Sequence, residues 1–249
     1  MLQSLKTANV HAVLFDLDGT LVDSAPDLAA ALNHLLQQHG LATLPYAAIR
    51  PFVSNGANAL ITLGFGSGLS EPQFKLIKDE FIEHYQQNIA NESALFEHLD
   101  ATLLALDKND IPWGIVTNKP AYLTVDLVDK LALTSRAKCV VCGDQVANSK
   151  PHPESIYLAC QKLGVLPSTA LYIGDAERDI RAGRLAGTQT IACAYGYIPA
   201  DQDISDWQAD YIVNETAELL TLAQSLTSPV KQGRSQWSIA SWDIQLYGW

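Results

Sequence analysis

Basic residues are scarce. Sixteen lysines and arginines stand against 27 aspartates and glutamates, giving a formal net charge of −11 and a sequence pI near 4.8. Such a balance argues against binding nucleic acid or an anionic membrane surface through a basic patch. An anionic ligand would have to be met by local positive charge against the global field. Cysteine is also rare, with four in 249 residues: Cys139, Cys142, Cys160 and Cys193. The pair Cys139-x-x-Cys142 has no second pair to complete a zinc site. It lies in an apolar run that reads as a strand, so these thiols are expected in the core. No run approaches the roughly 20 apolar residues of a membrane-spanning helix. After Lys6 the apolar stretch is too short for a secretory signal and leads straight into Asp16. The expected location is the cytoplasm.

What is present is a core-forming sequence, 48% hydrophobic, organised around Phe15-Asp16-Leu17-Asp18-Gly19-Thr20. The run Val13-Leu14-Phe15 reads as a short buried strand. Side chains two apart in an extended chain point the same way, so Asp16 and Asp18 are expected to share one small space at the strand's end. Like charges that close are costly unless a cation lies between them or one is protonated. Gly19 permits close backbone approach to a ligand, and Thr20 adds a hydroxyl.

From Ser24, an N-cap candidate with Pro26 and Asp27 in the first turn, the chain reads as helical to about residue 92. Gly40 closes the first helix. A further helical piece spans 58–63, residues 64–68 form a glycine-rich connector, and Ser70 with Gln73 opens another helix. Beyond this the pattern alternates. Helices are expected at 95–109, 120–132, 153–163, 179–186 and up to about 226. Strands are expected at 112–116, 138–142, 170–173, 189–194 and 211–213. Alternation of this kind predicts a doubly wound parallel sheet flanked by helices. The expected division is an α/β core of residues 1–23 and 93–228, a helical cap inserted at 24–92, and a tail from 229 to 249 carrying Trp237, Trp242 and Trp249. That tail either folds back as a strand or stays without structure.

Ligands of such sheets bind at the carboxyl ends of the strands, where three more clusters fall. Thr117 and Asn118 follow Trp113–Val116 and can donate to an anion. Lys150 follows the Cys139 strand. Asp175 and Asp179 follow Leu171–Ile173. Together these supply carboxylates for a hard divalent cation, of which Mg²⁺ suits oxygen ligation, and a hydroxyl and an ammonium for a phosphate.

The set Asp16-x-Asp18-Gly19-Thr20, Thr117-Asn118, Lys150 and Gly174-Asp175-x-x-x-Asp179 resembles the four motifs of the haloacid dehalogenase superfamily of phosphatases, over residues 10–225. Within it the chain is similar to the phosphoglycolate phosphatase group. The stretches Trp113–Pro120 and Tyr195–Ile198 look closer to N-acetylmuramic acid 6-phosphate phosphatases. Ser54-Asn55-Gly56 departs from the Gly-Asn-Gly often seen in phosphoglycolate phosphatases.

The resemblance implies Asp16 as nucleophile, Asp18 as acid and base, and Lys150 as a further catalytic group. It implies Mg²⁺ held by Asp16, the Asp18 carbonyl, Asp175 and Asp179. Gly19, Thr117, Asn118 and Lys150 would hold the phosphate, and Arg50, Ser54, Asn55 and Gly56 would form the specificity loop of the cap. The expected partner is a small phosphate ester, with no nucleic acid and no membrane, acted on by a monomer or homodimer. A dehalogenase of this fold would need neither Mg²⁺ nor Asp18. A phosphosugar mutase would need cap groups that the sequence does not reveal. A receiver-like signalling domain would be about half this length, without the insert.

Overall fold

The computed structural model describes residues 9–228; the tryptophans at 237, 242 and 249 lie outside it. Elements are numbered in chain order. The first apolar run forms β1 (Ala12–Phe15), with all four residues buried, as a central parallel strand covered on both faces requires. It pairs in parallel with β4 (Trp113–Val116) on one side and β6 (Ala170–Gly174) on the other. Beyond β4 lies β5 (Cys139–Val141). Beyond β6 lie β7 (Gln189–Cys193) and β8 (Tyr211–Val213), so the order is β5-β4-β1-β6-β7-β8. The doubly wound parallel sheet expected from the alternation is present.

Alternate residues of the strands bury against opposite layers. Phe15, Trp113, Ile115 and Ile173 pack with α5 (Leu99–Lys108) and α9 (Thr216–Ser225) through Leu103, Leu106, Leu219 and Leu222. Leu14, Val116 and Tyr172 pack with α7 (Glu154–Leu163) and α8 (Glu177–Ala186) through Ile156, Ala159 and Ala182. Helix α6 (Ala121–Lys130) follows β4. All four cysteines are free and buried, as expected of core thiols.

Between β2 (Val22–Asp23) and β3 (Ala94–Leu95), which pair as a two-stranded antiparallel ribbon, the chain makes a helical excursion. It contains α1 (Ala25–Gln38), α2 (Tyr46–Ile49), a 3-10 turn at Arg50–Asn55, α3 (Gly56–Phe65) and α4 (Glu71–Gln87). Leu32, Leu35, Leu60, Ile61, Phe81 and Tyr85 supply its buried face. The Ser70 capping box is present, with the Ser70 N–H donating to Gln73 Oε1 at 3.0 Å.

Several local expectations are corrected. The helix expected from 95 starts at Leu99, because 94–95 pair with β2. The specificity loop expected at Arg50, Ser54, Asn55 and Gly56 is a 3-10 turn running into the start of α3. Gly64 and Phe65 belong to α3, where a Cβ on Gly64 would come within 2.9 Å of Leu32 Cδ1; the missing side chain allows the close helix approach. Ser24 occupies the N-cap position, yet its hydroxyl goes to Asp18 rather than to the helix. Asp27 does not complete a capping box. Its carboxylate accepts from the N–H groups of Glu92 and Ser93 and from the Ser93 hydroxyl, tying α1 to the chain ahead of β3.

Candidate active site

The parallel register puts the residues that follow β1, β4 and β6 at one sheet edge. The Asp16 N–H donates to the Ile173 carbonyl at 2.8 Å, extending the ladder one residue and fixing where the Asp16 side chain emerges. Beside it Lys150, only 4% exposed, donates from Nζ to Asp16 Oδ1 at 2.8 Å, to the Val116 carbonyl at 2.9 Å and to Tyr172 Oη at 2.8 Å. The same Nζ lies 2.7 Å from Asp179 Oδ1. A buried ammonium is tolerated only when paired and hydrogen-bonded, and here two carboxylates and two neutral oxygens meet that demand.

Asn118 was expected to offer its side-chain amide to an anion. Instead it clamps the backbone of Lys150. Its Nδ2 donates to the Lys150 carbonyl at 2.9 Å, and the Lys150 N–H donates to its Oδ1 at 3.0 Å. Asn118 therefore positions the lysine. Thr117 is buried and lines the cavity described below. Its hydroxyl oxygen accepts from the Lys119 N–H at 3.1 Å, which leaves the hydroxyl proton for another acceptor.

Three carboxylates, those of Asp16, Asp175 and Asp179, each bring an oxygen within 4.8 Å of the others, and all three are buried. Asp175 Oδ1 accepts from the Thr20 hydroxyl at 3.1 Å. Asp175 Oδ2 accepts from the Ser54 hydroxyl at 2.8 Å and the Tyr197 N–H at 2.9 Å. Asp179 Oδ2 accepts from the Ala176 N–H at 3.0 Å. Burial and then Asp179 push Asp16 up from 3.8 to about 7. Burial and then Asp179 push Asp175 up to about 6, against the hydrogen bonds from Tyr197, Ser54 and Thr20. All-oxygen, anionic and crowded donors suit a small hard divalent cation.

The raised values have a consequence for protein stripped of divalent ions. Between about pH 4 and pH 7 the folded state holds protons that the unfolded state has released, so stability falls as pH rises through that window. The melting temperature in chelator is expected to drop from pH 5 to pH 8. A steady rise over that interval would contradict the cluster's electrostatics.

Asp18 is served separately. Its Oδ1 accepts from the Ser24 hydroxyl at 2.5 Å and from Lys119 Nζ at 3.0 Å, with Nζ 3.3 Å from Oδ2. Lys119 also donates to the Tyr85 hydroxyl at 2.9 Å and sits 4.7 Å from the centre of that ring. Burial pulls the Lys119 ammonium down, but Asp18 and then Tyr85 outweigh it, and the net shift is upward. Asp16 and Asp18 line one cavity, as alternation predicts, yet each carboxylate has its own lysine, since the chain leaves strand geometry at Leu17. Lys119 was not foreseen as a site residue; its only signal was its place next to Thr117-Asn118 at a strand end.

Gly19 was expected to meet a phosphate. Its N–H is instead bonded to the Val22 carbonyl at 2.9 Å. Its φ of +88° and the 2.2 Å that would separate a Cβ from Asp175 Oδ2 show what requires glycine there: a carboxylate of the acidic cluster packs against bare backbone.

The helical excursion reaches this edge through its 3-10 turn. Ser54 touches Asp175 as given above. The Arg178 guanidinium donates to the Ser54 carbonyl and, at 3.3 Å, to Asn55 Oδ1. Arg50, expected in the specificity loop of the cap, is not among the residues that line the cavity. It donates to the carbonyls of Tyr195 at 2.9 Å and Gly196 at 3.0 Å, with its guanidinium 4.9 Å from the centre of the Tyr197 ring. Those carbonyls offer a planar donor two well-placed acceptors, which a sequence reading of Arg50 alone could not foresee. Between the sheet edge and the excursion lies a cavity of about 800 Å³. Asp16, Asp18 and Lys150 form its floor, and Ser54, Asn55 and Gly56 are among the residues of its other wall.

Comparison with known proteins agrees with this geometry. The family model described as haloacid dehalogenase-like hydrolase matches residues 13–193. The chain is 40% identical over 216 residues, 87% of its length and 96% of the relative's, to an N-acetylmuramic acid 6-phosphate phosphatase of Pseudomonas aeruginosa. It is 38% identical over 209 residues to a phosphoglycolate phosphatase of Xanthomonas campestris, covering 84% of this chain and 94% of that protein. A crystal structure described as a predicted phosphoglycolate phosphatase from Haemophilus somnus 129pt superposes with a TM-score of 0.78 at 30% identity, over 87% of this chain and 99% of that one.

Proposed function

The chain belongs to the haloacid dehalogenase-like hydrolase family, and we propose that it is a divalent-cation-dependent phosphatase whose substrate is a phosphorylated amino-sugar acid, N-acetylmuramic acid 6-phosphate. The observation that carries the chemistry is the buried Asp16, paired with Lys150 and flanked by Asp175 and Asp179, at the floor of a cavity of about 800 Å³. The volume supports the size of the substrate. Cavities of about 300–1,000 Å³ hold ligands of drug size, whereas a phosphorylated two-carbon acid would leave most of this one to water.

In this reading Asp16 attacks phosphorus through a carboxylate oxygen as the P–O bond to the sugar breaks, giving an aspartyl-phosphate. Asp18 gives its proton to the leaving oxygen. It then takes one from the water that displaces phosphate from Asp16. Lys119 and Ser24 hold the Asp18 carboxyl in place for both transfers. Lys150 and the Thr117 hydroxyl bind phosphoryl oxygens. Asp16, Asp175 and Asp179, with the Asp18 carbonyl, would hold Mg²⁺, which when bound shields the nucleophile from the phosphate charge. Residues 24–92 act as a cap over a core of residues 1–23 and 93–228, closing to exclude water and to select the alcohol part. Among the described residues no helix is long and apolar enough to cross a membrane. The four free thiols suit a reducing compartment, and we place the activity in the cytoplasm.

Chelator is expected to abolish turnover and Mg²⁺ to restore it. Ca²⁺ should restore little, because its looser and higher coordination spoils in-line geometry. Full activity in chelator would overturn the metal assignment. The substrate is tested by kcat/KM. A site built on polar groups of the larger ester should prefer N-acetylmuramic acid 6-phosphate over 2-phosphoglycolate by more than about tenfold. The reverse preference would replace the substrate and keep the phosphatase.

A further inference from the structure

We propose that Lys78 recognises a second anionic group of the substrate, a carboxylate on the alcohol side of the ester, and that it thereby sets specificity; this rests on the phosphatase reading above. Four cations line the cavity: Lys78, Lys119, Lys150 and Arg178. Three are committed. Lys150 holds Asp16 and Asp179, Lys119 holds Asp18, and Arg178 is bonded to Ser54 and Asn55. Lys78, half-buried on α4, has no hydrogen-bond or ion-pair partner among the described residues. In a chain of net charge −11, an uncommitted ammonium turned into a cavity with two carboxylates on its floor is the natural receptor for a negative group brought by the ligand.

Its position says which ligand. Lys78, Phe81, Ile82 and Tyr85 all line the cavity and fall at the spacing of a single helix face. The Tyr85 end is the reacting end, since its hydroxyl touches Lys119, the partner of Asp18. Seven residues at about 1.5 Å each place Lys78 about 10 Å further along the helix. Helical side chains lean towards the N-terminus, which carries the ammonium further from Asp18. In a two-carbon acid ester only three bonds of about 1.5 Å separate phosphorus from the carboxyl carbon, so its carboxylate falls well short of Lys78. A carboxylate on the far side of a sugar ring from the phosphate spans that distance. Phe81 and Ile82, between the two ends, offer an apolar wall for the ring.

The test compares wild type, Lys78→Gln and Lys78→Arg on two esters, N-acetylmuramic acid 6-phosphate and N-acetylglucosamine 6-phosphate, which lacks the lactyl carboxylate. A charge-assisted hydrogen bond of this kind corresponds to about 10–100-fold in binding. Lys78→Gln is expected to lower the acid-to-neutral ratio of kcat/KM by at least about tenfold, chiefly through KM for the acid. Lys78→Arg should keep most of the ratio. An unchanged ratio in Lys78→Gln, or an equal loss on both esters, overturns the proposal. Failure of the wild type to turn over either sugar ester is a failure of the substrate reading and removes this inference with it. A wild-type preference for the acid that survives Lys78→Gln sinks this inference alone.

Discussion

Asp16→Asn is expected to lower kcat by at least about three orders of magnitude on any phosphate ester, including a generic aryl phosphate, because an amide cannot take the place of the carboxylate that attacks phosphorus in the proposed mechanism. The fold should not suffer. Asparagine has nearly the same shape, and Lys150 keeps Asp179 at 2.7 Å, the Val116 carbonyl and Tyr172. Metal-free Asp16 is a carboxyl pushed up to about 7 by burial and by Asp179, so a neutral residue there relieves repulsion. The melting temperature in chelator at pH 8 should therefore match or exceed that of the wild type, and its fall between pH 5 and pH 8 should shrink. Loss of activity together with an intact or raised melting temperature separates chemistry from structure. Activity within tenfold of wild type would remove Asp16 as the nucleophile.

What could be read from the residues follows from how local each signal is. An apolar run ending in carboxylates marked β1 and Asp16, since burial on both faces and a polar strand end are both written in adjacent positions. The same held for the strands ahead of Thr117 and Asp175. The two-residue strands β2 and β3 carry no periodicity, and their pairing is fixed only by the excursion that they bracket. Partner choice was less legible still. Lys150 meets a residue 134 positions away, and the Asn118 side chain could be assigned to a ligand or to the Lys150 backbone only once the loop after β5 had been placed. Arg50 had the right chemistry for a carboxylate, but two backbone carbonyls claim it. Lys78 and Lys119 were hidden for the opposite reason. A lysine on an amphipathic helix, or just after a strand, looks like a solvated one until the facing wall is known.

Lys150→Met should cost activity and stability together, and the two losses can be pulled apart. The ammonium is the shared counter-charge of Asp16 and Asp179, with contacts of 2.8 and 2.7 Å at the buried floor of the cavity. Methionine fills much of the same volume but leaves two buried carboxylates facing each other, and removing one partner of a buried pair costs about 3–5 kcal/mol. Turnover should fall by about three orders of magnitude or more, as a phosphoryl oxygen loses a preorganised positive donor. Adding Asp179→Asn removes one of the stranded charges, so the double variant should regain much of the lost stability at neutral pH. The two substitutions would then be far from additive, as expected for groups in direct contact. Activity should not return, because the amide restores neutrality without restoring a cation for the phosphate. Thermal unfolding in chelator and steady-state kinetics with Mg²⁺ measure the two effects independently. A single variant that kept both its melting temperature and its turnover would show that Lys150 neither balances the carboxylates nor binds the phosphoryl group. Recovery of activity in the double variant would show that its part is charge balance alone.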